Sequence, residues 1–154
     1  MTLTVRIPAR PEIHLAHLVL DMNGTLTNRG VLLDGVEDRI ANLRSTLEVH
    51  LVSADTFGTL EDIATTLETS WHRARSGEDK LRYLDQLGSE RCAVIGNGTN
   101  DALVLEAAAL GFVVIGPEGA SAAAILAADV VCRSAADAMD LLLDPQALSA
   151  TLRA

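Results

Sequence analysis

Aromatic residues are nearly absent from this chain and make up 3% of its 154 residues. Hydrophobic residues still reach 49%, so the sequence predicts a core built mainly from Leu, Val, Ile and Ala. The length is typical of one domain and is sufficient to bury a substantial core. No repeat, low-complexity tract or linker divides the chain, so we expect residues 1–154 to form a single domain.

Positive charge is also scarce, and the formal net charge is −9 at pH 7. An anionic surface repels the phosphates of nucleic acids and of anionic membranes, so neither is an expected partner. The densest basic segment, His72 to Arg75, is too short to change this expectation.

Cysteine is equally rare, with Cys92 and Cys132 each placed within an apolar run. No Cys or His spacing suits a metal, so both cysteines are predicted to be buried core residues in a reducing compartment, without zinc. The N-terminus lacks the apolar region of a signal peptide, and charged residues interrupt the apolar segment 102–132 too often for a membrane span. We therefore expect a cytoplasmic protein.

Short apolar runs that alternate with amphipathic segments predict a parallel sheet with helices on both faces. The predicted strands cover residues 17–21, 47–52, 71–75, 91–95, 112–115 and 129–132. The predicted helices cover residues 36–46, 59–67, 76–87, 101–110, 119–127 and 135–143. A β-hairpin is expected before the first central strand, and a second small hairpin near residues 28–35. The predicted fold class is thus a three-layer, doubly wound, Rossmann-like α/β domain with an N-terminal β-hairpin and no large cap domain.

Polar residues stand directly after three of the predicted strands. Asp21 ends the first strand, Ser53 ends the second, and the loop Gly96–Asp101 follows a later one. Because the carboxyl ends of parallel strands meet at one edge, where open α/β sheets bind ligands, we expect these residues to lie together. Lys80 starts a helix, where the helix dipole disfavours a cation, so its position favours a functional role.

Each of these residues also has a structural alternative. A strand-end aspartate such as Asp21 is often only a turn former, and Ser53 is equally suited to a cap. Asp101 in a first helical turn gains about 0.3–1 kcal/mol from the helix dipole whatever its function. Gly96 and Gly98 also suggest a dinucleotide-binding loop, but Asp101 occupies the third glycine position of that motif.

The segment Asp21–Thr27, Asp-Met-Asn-Gly-Thr-Leu-Thr, resembles the nucleophile motif hhhhDxDGT of the haloacid dehalogenase (HAD) superfamily. The segments Ser53–Thr59, Gly96–Leu103 and Ile115–Ser121 are similar to sequences of small stand-alone HAD proteins described as soluble P-type-ATPase-like. The resemblance covers nearly the whole chain. It implies a HAD-like fold and a Mg²⁺-dependent hydrolase of the phosphatase type that acts through an aspartyl-phosphate.

The resemblance also implies a role for each matching residue. Asp21 is the nucleophile, which splits one difficult displacement into two easier ones. Lys80 screens the charge of the incoming phosphate. The groups implied to bind the phosphate oxygens belong to Ser53, Ala54 and Gly24. The residues implied to bind Mg²⁺ are Asp21, Asn23 through its backbone carbonyl, Asn97 and Asp101.

Two asparagines depart from the family pattern. Asn23 cannot donate a proton to the leaving group, a contribution of about 10²–10⁴ in rate. Asn97 weakens the Mg²⁺ site because hard cations prefer anionic oxygen. We therefore expect slow turnover of alkyl phosphates, with acyl-phosphatase or ATPase activity less affected. Asp55 is favoured as a helix cap, and its use as a substitute acid stays open.

The expected partner is a phosphorylated small molecule or a phosphoprotein. Without a large cap, the crevice is covered either by a large substrate or by a second subunit of a homo-oligomer, with Val31–Leu33 and residues 120–128 as candidate contacts. The alternative to an enzyme is a catalytically weakened HAD-fold module that binds phospho-ligands or regulates partners. Binding without turnover would favour that alternative.

Overall fold

Strands and helices alternate along the chain, and the computed structural model describes residues 1–154. The strands are β1 (Leu3–Val5), β2 (Ile13–Leu15), β3 (His17–Leu20), β4 (Thr27–Asn28), β5 (Val31–Leu32), β6 (Glu48–Ser53), β7 (Ser70–Arg73), β8 (Cys92–Gly96), β9 (Leu110–Val114) and β10 (Val130–Cys132). The helices are α1 (Val36–Leu43), α2 (Leu60–Leu67), α3 (Gly77–Leu87), α4 (Ala102–Ala107), α5 (Ala122–Ala127), α6 (Ala135–Leu143) and α7 (Pro145–Leu152). One-turn 3₁₀ helices cover Ser89–Arg91 and Thr99–Asp101.

Six strands form one parallel sheet in the order β10-β9-β8-β3-β6-β7. The chain builds the sheet outward from β3 in both directions, so the strand order reverses between β3 and β8. Leu20 lies opposite both Leu51 and Ile95, which aligns the carboxyl ends of the three central strands. A reversal of this kind opens a crevice beyond the strand ends.

Apolar side chains bury both faces of the sheet. Leu18 and Leu20 of β3 pack with α1, α2 and α6, whereas Val19 packs with α3, α4 and α5. Successive side chains of a strand point to opposite faces, so one continuously apolar strand serves two cores. This arrangement confirms the predicted three-layer α/β class.

Two small antiparallel hairpins accompany the main sheet. β1 pairs with β2, and β4 pairs with β5. Only the second hairpin and α1 separate β3 from β6 along the chain, so the prediction of no large cap domain is confirmed.

The structure differs from the predicted elements in several places, including α4, which ends at Ala107 rather than 110, and α5, which begins at Ala122 rather than 119. The sequence reasoning missed α7, although Pro145 stands at its first position and Asp144 caps it by accepting a hydrogen bond from the Ala147 N–H. β9 begins at Leu110 rather than 112, because Leu110 and Gly111 already pair with Ala93 and Val94 of β8. Gly111 also passes so close to α4 that an added Cβ would overlap the carbonyl oxygen of Leu105.

The longest helix, α3, has 11 residues, and no helix combines the length and apolarity needed to cross a bilayer. Both cysteines are buried in the core, as predicted.

Candidate active site

Asp21 lies at the carboxyl edge of the sheet, immediately after β3. Its backbone N–H donates to the carbonyl of Ile95 at 3.0 Å, which ties the strand end to β8. The chain then turns sharply, and the Met22 carbonyl accepts hydrogen bonds from the N–H groups of Thr25 and Leu26. Gly24 makes the turn with a φ of +81°, a region that favours glycine. The apolar strand and the glycine turn together hold the Asp21 carboxylate at the crevice.

A buried lysine bridges two carboxylates at this edge. The Lys80 Nζ lies 2.8 Å from the Asp21 Oδ1 and 2.7 Å from the Asp101 Oδ1. The side chains of all three residues are at most 10% exposed. Lys80 is also the only lysine of the chain. The predicted grouping of these three residues is therefore seen in the structure.

Burial and charge shift the protonation of this cluster. Burial raises the pKa of Asp21 to about 6, and the negative charge of Asp101 acts in the same direction against the attraction of Lys80. Burial lowers the pKa of Lys80, but Asp21 and Asp101 outweigh this effect and raise it to about 12. Lys80 is thus charged at neutral pH, and the cluster carries more negative than positive charge when both carboxylates are ionised.

The Asp101 carboxylate is held by groups of the chain itself. Its Oδ2 accepts hydrogen bonds from the N–H groups of Asn97 and Gly98, each at 3.0 Å, while Lys80 holds its Oδ1. A Cβ on Gly96 would lie 2.6 Å from this carboxylate, so the loop needs glycine there. Asp101 therefore orients Lys80 and the loop, and its implied contact with Mg²⁺ stays a prediction.

Thr25 connects the Asp21 carboxylate to the Asn97 amide. The Thr25 hydroxyl lies 3.0 Å from the Asp21 Oδ2 and 3.2 Å from the Asn97 Oδ1. The Asn97 Nδ2 donates to the Gly119 carbonyl at 3.0 Å, which turns the amide oxygen toward the Thr25 hydroxyl. Sequence reasoning assigned no role to Thr25, although it stands within the quoted motif.

Several hydrogen-bond donors at the strand ends have no partner within the protein. The backbone N–H groups of Met22, Asn23 and Ala54 donate to no protein group. The Ser53 Oγ accepts from the Asp55 N–H at 3.0 Å, which leaves its own hydrogen free. These four groups are suited to bind the oxygens of an anion.

Gly24, for which the resemblance implies phosphate binding, has no free backbone donor to offer a phosphate. Its N–H already donates to the Thr27 carbonyl at 2.9 Å, so the glycine shapes the turn rather than offering a free donor. The Asn23 side chain is fixed as well, because its Oδ1 accepts from the Thr27 hydroxyl at 2.9 Å.

Asp55 is held by local partners. It accepts hydrogen bonds from the Leu60 N–H at 2.9 Å and from Arg73 at 2.8 Å. Burial raises the pKa of Asp55, but these hydrogen bonds outweigh burial and bring the pKa below its usual range. Asp55 therefore satisfies the first N–H of α2, although Thr59 rather than Asp55 occupies the N-cap position. Asp55 is ionised at neutral pH, which does not suit a general acid.

Glu118 is a further carboxylate near the site that sequence reasoning did not assign. A Cβ on Gly24 would lie 2.8 Å from the Glu118 Oε2 and 2.9 Å from the Asn97 Nδ2. The loop that follows β9 thus brings Glu118 over the glycine turn. The only signal in the sequence was the motif resemblance of Ile115–Ser121.

Comparisons with known proteins agree with this architecture. No family model matches the chain. The uncharacterized protein MJ0073 of Methanocaldococcus jannaschii is 46% identical over 78 residues, which cover 48% of this chain and 84% of that protein. A Streptomyces avermitilis structure assigned to the HAD family of hydrolases has a TM-score of 0.66 at 21% identity and covers 85% of this chain and 84% of its own.

The 3-deoxy-D-manno-octulosonate 8-phosphate phosphatase of Moraxella catarrhalis, solved with a magnesium ion, a phosphate ion and KDO, is also similar. Its TM-score is 0.66 at 17% identity, with 89% of this chain and 92% of that chain covered. At such identities the structural matches establish a shared fold.

Proposed function

This chain has the HAD fold and belongs to the same family as MJ0073, and we propose that it is a Mg²⁺-dependent phosphohydrolase or phosphotransferase that acts through an aspartyl-phosphate at Asp21. The observation that carries the proposal is the buried Lys80 between Asp21 and Asp101, at 2.8 and 2.7 Å. A fully buried lysine at the carboxyl edge of a parallel sheet, next to unpartnered N–H groups, is suited to bind and screen phosphate.

The residues at this edge fit a magnesium ion. Mg²⁺ prefers oxygen ligands and is commonly held by one or two carboxylates together with substrate phosphate. The Asp21 carboxylate, the Asn23 carbonyl and the Asn97 Oδ1 offer oxygen donors of this kind, and the excess negative charge of the cluster favours a cation. Bound there, the ion would neutralise charge on the transferring phosphoryl group.

The chain supplies the nucleophile and the binding groups. The Asp21 carboxylate attacks phosphorus, the bond from phosphorus to the leaving oxygen breaks, and the leaving group departs with that electron pair. Lys80 and the free N–H groups of Met22, Asn23 and Ala54 stabilise the phosphoryl oxygens during the displacement. Water, or an acceptor hydroxyl, then attacks phosphorus and releases Asp21 as a free carboxylate.

The leaving group determines which substrates react well. In the motif that this segment resembles, the position of Asn23 carries the acid that protonates the leaving oxygen, and an amide cannot do so. Alkyl phosphates therefore react slowly, whereas acyl phosphates and phosphoanhydrides need little protonation. Hydrolysis of the aspartyl-phosphate is also slow, because the Asn23 amide cannot act as the general base that activates the attacking water, so the adduct accumulates.

Intact-mass analysis after incubation with acetyl phosphate and Mg²⁺ tests the proposal. We expect a phosphoryl adduct that peptide mapping places on Asp21, and Asp21→Asn should not form it. Asp62→Asn, an exposed carboxylate on α2, is the matched control and should react as the parent chain does. No adduct together with no release of phosphate would refute the enzyme proposal.

A second candidate function follows from the two neutral amides. Asn23 and Asn97 both lack the charge that their motif positions carry in active phosphatases, which suits a module that binds phospho-ligands without turnover. Calorimetry with phosphorylated metabolites separates the two, because heat of binding without phosphate release favours the module.

A further inference from the structure

A second polar cluster lies at the opposite, amino edge of the sheet. β3 and β6 run parallel, and their register places His17 opposite Glu48 and Val19 opposite His50. Both imidazoles therefore lie on the sheet face covered by α3. His17 is 8% exposed and His50 is 2% exposed, so two histidines are buried far from the Asp21 site. This cluster has no part in the proposed phosphoryl transfer.

Three potential metal ligands converge within this cluster. The His17 Nδ1 lies 3.1 Å from the His50 Nε2. The Glu48 carboxylate approaches the His17 Nδ1 at 3.5 Å and the His50 Nε2 at 3.9 Å. Zinc bonds of about 2.0–2.1 Å at tetrahedral angles place neighbouring ligand atoms about 3.3 Å apart. The observed separations bracket that distance, so one ion fits between the three groups with a small rotation of the exposed Glu48.

We propose that His17, Glu48 and His50 form a binding site for a transition-metal ion of the zinc class. Two imidazole nitrogens and one carboxylate are a common protein donor set for Zn²⁺, and the fourth position remains open to water or another ligand. The spacing of the histidines along the sequence suggests no metal motif. The site arises only because the parallel register aligns the first residues of two strands.

The surroundings of His50 favour this role. Its Nδ1 lies 2.9 Å from the Tyr83 hydroxyl, which can accept the second ring N–H and so fix the orientation of the imidazole, as outer hydrogen-bond partners do for metal-bound histidines. Tyr83 lies on α3, three residues after Lys80, so an ion here would also tie this helix to the sheet.

Arg91 opposes metal binding and thereby provides a test. Its Nη2 lies 3.2 Å from the His17 Nε2, and a guanidinium can only donate, so this nitrogen accepts and the proton stands on Nδ1. Metal binding at Nδ1 moves that proton to Nε2, where it faces the Arg91 donor. A glutamine at position 91 offers an amide oxygen that can accept from Nε2–H. Arg91→Gln should therefore bind zinc more tightly than the parent chain.

Zinc binding is best measured in an Asp21→Asn background, which removes the nucleophile carboxylate as an alternative ligand. The chain is stripped with EDTA, titrated with Zn²⁺ alone against a fluorescent chelator, and analysed for metal content after gel filtration. We expect one Zn²⁺ per chain and an increase in melting temperature. His50→Gln should abolish this binding.

Glu48→Gln keeps the test valid if His50→Gln fails to fold, because the Glu48 side chain is 57% exposed. We expect it to weaken zinc binding about 10-fold or more, and Arg91→Gln to strengthen it by a similar factor. His14→Gln is the matched control, since His14 is an exposed histidine 3.5 Å from Glu12. The proposal is overturned if stoichiometric zinc is not retained, or if Glu48→Gln and His14→Gln bind zinc equally.

Discussion

Replacing Lys80 with methionine should show how much the charge of Lys80 stabilises the folded protein, in which Asp21 and Asp101 are buried side by side. Lys80 is 3% exposed and holds both Asp21 and Asp101 at hydrogen-bond distance. Methionine keeps the apolar stem but removes the charge, so two buried carboxylates face each other without a cation. Breaking a buried ion pair by removing one partner typically destabilises a protein by about 3–5 kcal/mol. We expect a loss of this size in the free energy of unfolding at pH 7.

The pH dependence of that loss tests its electrostatic origin. The pKa of Asp21 is already raised to about 6, and without Lys80 it should rise further. A carboxylate with a raised folded-state pKa contributes stability at low pH, and this contribution is lost as the pH rises toward the folded-state pKa. The difference between Lys80→Met and the parent should therefore be smaller at pH 5 than at pH 7.

Urea unfolding in EDTA, followed at pH 5, 6 and 7, measures these differences. Arg82→Met on the same helix is the matched control, because Arg82 is exposed and its surface ion pair with Asp79 contributes little to stability. Equal effects of Lys80→Met and Arg82→Met at pH 7 would refute the reasoning. A Lys80→Met loss that stays constant from pH 5 to pH 7 would refute it as well.

Three further changes address the site. Asn23→Asp should raise the kcat for alkyl-phosphate hydrolysis by at least about 10²-fold in a phosphate-release assay, because it supplies the missing acid, and unchanged kcat would contradict this account. In EDTA, the stability of the parent relative to Asp21→Asn should fall as the pH rises from 5 to 7, since the raised pKa of Asp21 favours its protonated folded form, and a flat difference would show a normal pKa. Gly24→Ala should lower the melting temperature more than Gly58→Ala, because both have positive φ but only Gly24 has the Glu118 side chain 2.8 Å from an added Cβ. Equal decreases in melting temperature for the two variants would show that the backbone strain of a positive φ, and not the contact with Glu118, causes the loss.

The fold class and the position of Asp21 at the sheet edge could be predicted because their signals are local. Leu18-Val19-Leu20 is apolar on both faces of its strand, and the turn residues follow directly after it. A parallel sheet then necessarily brings Asp21, Ser53 and the loop after β8 to one edge. The misfit of a cation early in α3 likewise indicated that Lys80 has a partner, and the structure shows two.

Other features depended on contacts that no local pattern encodes. α7 has a proline at its start, but its apolar face is narrow, with Leu148 as its buried residue. The early start of β9 follows from the pairing of Leu110 with Ala93 of β8, a contact between two elements. The orientation of the Asn97 amide is likewise decided by the carbonyl of Gly119, which lies 22 residues away.

The sequence by itself determined where apolar strands end and which side chains stand at those ends, because the alternation of apolar and polar residues acts over a few positions. Only the tertiary structure decided which polar atoms meet. It turned Asp101 toward Lys80 and the loop N–H groups, and it left the N–H groups next to Asp21 free. It also placed His17 and His50, 33 residues apart, at 3.1 Å from one another. The physical reason is that strand register and helix docking fix the distances between residues far apart in the chain. Register and docking are in turn set by the packing of the whole core.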